Sequence, residues 1–319
     1  MVSLFVPSVR MIFGDGMRAL LVAVISCLAS VAAFSQAVDP GFAFGRDYTF
    51  ERMTATRRVN DADDKGNLRL VSYVYRPAKA AGTKVVLFSH GSTGGLSRSA
   101  KEPLDGPPFG LIRFFVSRGY TLVVPMRRGR AESSGKYVEE CSVFSGECTT
   151  ADQLRLGERG IKEALADSNA VLDQIVFGKL TAAGSNIIAA GISRGGFLSL
   201  MLAAERKEVA AIVNFVGGWY GITDNLNADD NRERMADHKS RLQHAAKKVS
   251  VPSIWIYAAR DAFNKEGIPQ ELYRYWTEAG TAPAEFVFIP EHNLPNGHFI
   301  AQNPALWEKQ LDSFLKEKL

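Results

Sequence analysis

Six short apolar runs constrain this chain more than any other feature. They are Lys84–Ser89, Tyr120–Pro125, Asn186–Gly191, Val209–Val216, Ser253–Ala258 and Glu285–Ile289. Each is too short for a core helix and apolar at odd and even positions alike, the pattern of strands buried on both faces. The segments between them carry apolar residues at helical spacing. Gly110–Ser117, Asp152–Phe177, Gly195–Ala204, Gln270–Ala279 and Pro304–Lys318 all read as helices; in the second, Ile161, Leu165, Val171, Leu172, Ile175 and Val176 share one face. Strands alternating with helices predict a mainly parallel sheet with right-handed crossovers and helices on both faces. Leu68–Tyr75 alternates and stops before Pro77, so it is expected as an antiparallel edge strand. The sheet then has about eight strands in one domain, residues 38–319. Residues 38–60 read as a polar lead-in with aromatic side chains. The polar stretch 219–248, with a charged helix Arg232–Lys248, is either a small cap over the sheet's carboxyl edge or a solvated surface excursion.

A chain of 319 residues, 46% apolar and 23% charged, can bury a full core without metals or disulfides. Its formal charge of +4 is mild, with no concentrated basic face, so a nucleic-acid partner is not expected. The N-terminus reads differently from the rest. Met17-Arg18, the apolar run Ala19–Ala33 and the small residues through Ala37 have the parts of a secretory signal. Cleavage is expected after Ala33 or Ala37, and Met17 is a possible late start. The run is shorter than the roughly 20 residues a membrane anchor needs. Residues 1–37 are therefore read as a leader, the mature chain as periplasmic or secreted, and no membrane association is expected after cleavage. In an oxidising compartment Cys141 and Cys148 are expected to pair and staple a surface loop. Neither Cys-x-x-Cys nor His-Glu-x-x-His spacing occurs, so no metal or cofactor is expected.

The chemistry concentrates in Gly191-Ile192-Ser193-Arg194-Gly195. A serine between glycines arises easily by chance, but here a buried strand precedes it and a helix of small and apolar residues follows. A sharp strand-to-helix turn exposes a serine Oγ for nucleophilic attack. The remaining needs are a base, an acid to orient it, and donors for the oxyanion. His90-Gly91-Ser92, directly after another buried strand, suits an oxyanion loop, with the Ser92 and Arg194 N–H groups as donors and His90 as a shaping residue. A phosphate loop is the alternative reading, but the Gly-Lys-Ser/Thr ending is missing. Asp261 follows the strand Ser253–Ala258 and is the expected acid; Asp224, Asp229 and Asp230 are rivals without a strand before them. His298, in a Gly-His loop between the last strand and last helix, is the expected base. His292 is its competitor, while His238 and His244 read as surface residues of the charged helix.

The order Ser193, Asp261, His298 differs from the trypsin and subtilisin orders. With the His90-Gly91 loop and the Ala-Arg-Asp261 turn, it resembles the α/β-hydrolase superfamily over residues 65–318, and its dienelactone-hydrolase-like and prolyl-oligopeptidase-like branches in particular. The resemblance implies acyl transfer through a Ser-His-Asp triad. Dienelactone hydrolases carry cysteine where this chain has Ser193, which favours general ester or peptide hydrolysis over lactone chemistry. No β-propeller pattern lies in the sequence, so a size gate is not expected.

The substrate side is less determined. Arg127 and Arg130, after Tyr120–Pro125, could bind a substrate anion, as could Arg128, or could pair with Glu132 and other local acids. Trp219 and Tyr220 could wall an acyl pocket or close the core. Three readings follow: an exported carboxylic ester hydrolase, a dipeptidyl- or prolyl-type serine peptidase on the same triad, and a non-catalytic binding protein on a hydrolase fold. The first two imply a small ester or a short peptide as partner.

Overall fold

The computed structural model describes residues 42–79, 84–92, 109–139, 149–178, 180, 187–224 and 226–319. The expected leader at 1–37 and the Cys141–Cys148 pair lie outside the described residues. Eight strands form one sheet, in chain order β1 (Tyr48–Asn60), β2 (Lys65–Pro77), β3 (Lys84–Ser89), β4 (Tyr120–Pro125), β5 (Ile187–Ile192), β6 (Val209–Phe215), β7 (Ser253–Ala258) and β8 (Ala284–Ile289). The spatial order is β1-β2-β4-β3-β5-β6-β7-β8. β1 and β2 form an antiparallel ribbon, β2 joins β4 antiparallel, and every other pairing is parallel.

Two expectations change at the N-terminal side. The lead-in holds a full strand, β1, and Leu68–Tyr75 is not an edge but lies between β1 and β4. β1 was illegible because it is the true edge. Its alternation is carried by half-exposed Tyr48, Phe50 and Met53 among Glu51, Arg52, Arg57 and Arg58, with only Ala55 and Val59 buried.

The helices are α1 (Phe109–Val116), α2 (Thr150–Phe177), α3 (Arg194–Glu205), α4 (Ala228–Ala246), α5 (Ile268–Ala279) and α6 (Glu308–Lys318). A capping box starts α2: Thr149 Oγ1 accepts from the Asp152 N–H, and the Asp152 carboxylate accepts from the Thr149 N–H. The chain steps from β3 to β4 in one direction, then returns past β3 to β5 and continues the other way. Right-handed crossovers then put α1 on one face and α2, α3, α4 and α5 on the other. The Phe114 ring, 5.1 Å from that of Trp307, packs the C-terminal segment beside α1. The expected last helix is broken: a short 3₁₀ turn, Pro304–Leu306, precedes α6, with buried Trp307 at the kink donating its indole N–H to the Ile300 carbonyl at 2.9 Å.

The stretch 219–248 is neither the expected cap nor a solvated excursion. Its helix α4 is the β6–β7 crossover and packs on α3 and α5. Arg234, His238, Leu242, Ala245 and Ala246 are buried along it. The sheet core is mainly apolar along β5, β6 and β7, where Ile188, Val213 and Trp255 are fully buried and Asn214 and Ser253 are the buried polar exceptions. Each such apolar side chain contributes about 1.5–3 kcal/mol by leaving water. Because outgoing connections diverge between β3 and β5, a crevice is expected at their carboxyl ends. Those ends lead into Ser89–Ser92 and Ser193.

Candidate active site

Ser193 lies between β5 and α3 with φ +56° and ψ −125°. A serine rarely tolerates this geometry, and the surroundings hold it there. Its N–H donates to the Phe215 carbonyl at 2.9 Å, and its carbonyl accepts from the N–H groups of Phe197 (3.1 Å) and Gly218 (3.3 Å). The flanking glycines have a steric reason. A Cβ on Gly191 would collide with the Gly195 backbone, and one on Gly195 would collide with the carbonyls of Ser89 and His90. The turn therefore packs directly against the loop after β3. A Cβ placed on Gly91 would stand 3.2 Å from the Ser193 Cβ. Arg194 opens α3, at a position whose N–H the helix itself does not use.

Asp261 and His298 come together although 37 residues separate them. The His298 Nδ1–H donates to Asp261 Oδ1 at 3.0 Å and Oδ2 at 2.9 Å. With Nδ1 committed, Nε2 is the nitrogen left to accept a proton. Asp261 Oδ1 also accepts from the Phe263 (2.8 Å) and Asn264 (3.2 Å) N–H groups, and Oδ2 from the Asn264 amide at 3.0 Å. Burial pushes the Asp261 carboxyl up, but His298 and these donors outweigh it and hold it below the ordinary value. Gly297 matters for close approach: its N–H donates to the Arg260 carbonyl at 3.0 Å, and any side chain there would meet the Ala259 carbonyl. Ser193, Asp261 and His298 follow the carboxyl ends of β5, β7 and β8, so all three belong to one edge of the sheet.

One residue not singled out in the sequence, Asn296, supports this arrangement. Asn296 Oδ1 accepts from the Ala262 N–H (3.1 Å) and the His298 N–H (2.9 Å), joining the two loops. His292, the competitor to His298, donates from Nε2 to the Ala259 carbonyl at 2.7 Å and acts as a brace. Among the rivals to Asp261, Asp224 pairs with Lys265 and Asp230 caps α4 with Asn227. His238 is not on the surface. It is fully buried, and its Nε2 accepts from the Trp219 (2.9 Å) and Tyr220 (3.3 Å) N–H groups. Burial lowers its pKa to about 4, so the ring is neutral at pH 7.

The substrate-side residues lie deeper than expected. Arg127 and Arg130 have only 1% and 2% of their surface exposed. Arg127 donates from Nε to Glu139 Oε1 at 2.5 Å and from Nη2 to Oε2 at 3.0 Å. It thus pairs with a local acid, although the acid is Glu139 and not Glu132, which bonds Arg52. The Arg130 guanidinium stacks 3.7 Å from the Tyr137 ring centroid. Trp219 and Tyr220 are buried too. The Trp219 ring lies 4.9 Å from the Arg194 guanidinium and 6.3 Å from the Phe197 ring, and Tyr220 stands over Gly157 of α2. They close the core under the β6–β7 connection. Ser92, two residues after His90, is exposed. Among the described residues no group of His, Cys, Asp or Glu could hold a metal ion, and no helix is long and apolar enough to cross a membrane.

The strand order, the strained strand-to-helix turn and the loops carrying Asp261 and His298 define the α/β-hydrolase fold. Comparison with solved structures gives the same fold. The acylaminoacyl peptidase of Pyrococcus horikoshii matches with a TM-score of 0.56 at 17% identity, over 86% of this chain and 42% of that one. The esterase Pf2001 of Pyrococcus furiosus matches with a TM-score of 0.55 at 18% identity, over 84% of this chain and 92% of that one. Est1E of Butyrivibrio proteoclasticus, solved with ferulic acid, matches with a TM-score of 0.52 at 17% identity, over 79% and 96%. The chain thus spans under half the length of the peptidase. No protein-family model and no curated protein matches the sequence.

Proposed function

We propose that this protein is a serine hydrolase that cleaves carboxylic esters through Ser193, His298 and Asp261. The observation that carries the reading is the Asp261–His298 hydrogen bond on the same sheet edge as a serine at positive φ. His298 Nε2 takes the proton of Ser193 Oγ as the oxygen attacks the ester carbonyl carbon. Asp261 orients the ring and stabilises the imidazolium. The N–H groups of Ser92 and Arg194 bind the oxyanion. Collapse expels the alcohol, which takes the proton from His298, and water then cleaves the acyl-enzyme by the same route. A peptidase on the same triad is the second reading, favoured by the likeness to the acylaminoacyl peptidase. The ester reading is preferred because the esterases are matched over nearly their whole length. We also infer export, with residues 1–37 removed and Cys141–Cys148 paired.

With a short-chain p-nitrophenyl ester, Ser193→Ala should lower kcat by about 10⁴-fold or more while the protein stays folded. Labelling by a fluorophosphonate probe should disappear with it. A folded Ser193→Ala protein that keeps its activity would remove Ser193 from the mechanism. Faster turnover of aminoacyl anilides than of esters would select the peptidase reading.

A further inference from the structure

Arg127 is buried too deeply to touch a substrate, yet its guanidinium reaches the loop beside Ser193. Nη1 donates to the His90 carbonyl at 2.9 Å and Nη2 to the Gly91 carbonyl at 3.3 Å. The His90 Nδ1–H donates to the same Gly91 carbonyl at 2.7 Å. Burial, reinforced by the Arg127 charge, pushes the His90 pKa well below its ordinary value, so this ring is neutral. In a trans peptide the carbonyl and the following N–H point in opposite directions. Drawing the His90 and Gly91 carbonyls toward Arg127 therefore turns the Gly91 and Ser92 N–H groups the other way.

We propose that Arg127, held by Glu139, is a positioning residue for the oxyanion hole. This rests on the hydrolase reading above and deepens it. The pair is forked at both ends: Glu139 receives Nε and Nη2, and the loop carbonyls receive Nη1 and Nη2. Glu139 is itself surrounded by positive charge. Arg194 Nη1 lies 3.9 Å from its Oε2, and Arg130 adds its charge to the cluster. Burial pushes the Glu139 carboxyl up, but Arg127, Arg194 and Arg130 outweigh it and hold the pKa at about 2. Three guanidinium groups around one carboxylate leave a positive excess beneath the loop where the reaction would develop negative charge. Fixed charge and fixed dipoles of this kind favour the transition state over the ground state.

The test uses Arg127→Gln and Arg127→Lys in the full chain, with folding checked by near-ultraviolet circular dichroism. A lysine keeps the charge against Glu139, which protects folding, but a single ammonium cannot hold the carboxylate and both carbonyls. Arg127→Gln should lower kcat by about 10²-fold and Arg127→Lys by about 10-fold, with KM changed less than about threefold. A trifluoromethyl ketone forms a tetrahedral adduct that fills the oxyanion hole. Its inhibition constant should rise by the same factor as kcat/KM falls, which a general loosening of the fold would not produce. If Arg127→Gln does not fold, Arg127→Lys carries the test. A folded lysine variant with wild-type kcat overturns the proposal, as does a fall in kcat without matching loss of analogue affinity. The hydrolase reading fails separately: the wild-type protein would then resist the fluorophosphonate probe and turn over no ester.

Discussion

Arg127 and Arg128 are neighbours in sequence, equally buried, and opposite in surroundings. Arg128 alone meets three carboxylates: Nη1 reaches Asp61 at 2.7 Å and Glu163 at 2.8 Å, and Nη2 reaches Asp64 at 2.5 Å. On the other side, Glu139 alone meets three arginines. The acids around Arg128 are 13–23% exposed and join the β1–β2 turn to α2. The Arg127–Glu139 pair is sealed and grips the loop beside Ser193. The same residue type, at the same burial, serves as a clasp between surface elements in one place and as part of an electrostatic floor in the other. Burial does not separate the two roles; the partners do.

The sharpest way to break this comparison is to remove Arg128. Arg128→Ala removes the cation that Asp61, Asp64 and Glu163 share, leaving Glu163 with Arg57 and Asp61 with the more distant Arg159. Such one-sided removal costs about 3–5 kcal/mol when all partners are dry, and these acids can take up some water, so ~3 kcal/mol is expected. Urea unfolding reads the loss. Ester turnover by the folded fraction should stay within about twofold of wild type. If Arg128→Ala instead lowered kcat as strongly as Arg127→Gln, the division of labour would be wrong.

His238 tests whether support beneath the site needs charge at all. Its folded pKa of about 4 lies below the ordinary 6.5, so between those values the unfolded chain binds a proton that the folded chain does not. Stability should therefore fall as pH drops from 6.5 toward 4, by up to roughly 3 kcal/mol from this residue. His238→Gln keeps an acceptor for the Trp219 and Tyr220 N–H groups and cannot titrate. Urea midpoints measured at pH 7 and pH 4.5 should converge in the variant relative to wild type. An unchanged pH dependence would show that His238 is not the group being titrated.

The parallel half of the sheet was legible because strands buried on both faces announce themselves by unbroken apolar runs, as Lys84–Ser89 and Ser253–Ala258 do. β1 was not, because a strand at the edge spends its alternation on half-exposed aromatics among charges. Ser193, Asp261 and His298 are legible as candidates because each lies beyond the carboxyl end of a strand. Glu139 is not: in sequence nothing distinguishes it from Glu140 beside it, and its arginine partners are 9 to 55 positions away. His238 was misread for a related reason. A helix as polar as α4 reads as solvated, and only the packing of α4 on α3 and α5 buries one of its faces.

Asn296 gives the smallest and most local effect, and it contrasts with both arginines because it carries no charge. Its Oδ1 ties the Ala262 N–H to the His298 N–H, so it sets how the acid's loop sits against the base's loop. Asn296→Ala removes two neutral hydrogen bonds at a site that water can reach, which should cost about 1 kcal/mol of stability. The looser approach of His298 to Asp261 should lower kcat about tenfold, with KM little changed. Asn296→Asp keeps the acceptor and should recover most of the rate. If alanine and aspartate behave alike at wild-type turnover, the Asp261–His298 geometry is set by the Gly297–Arg260 backbone bond alone, and the side-chain bridge is incidental.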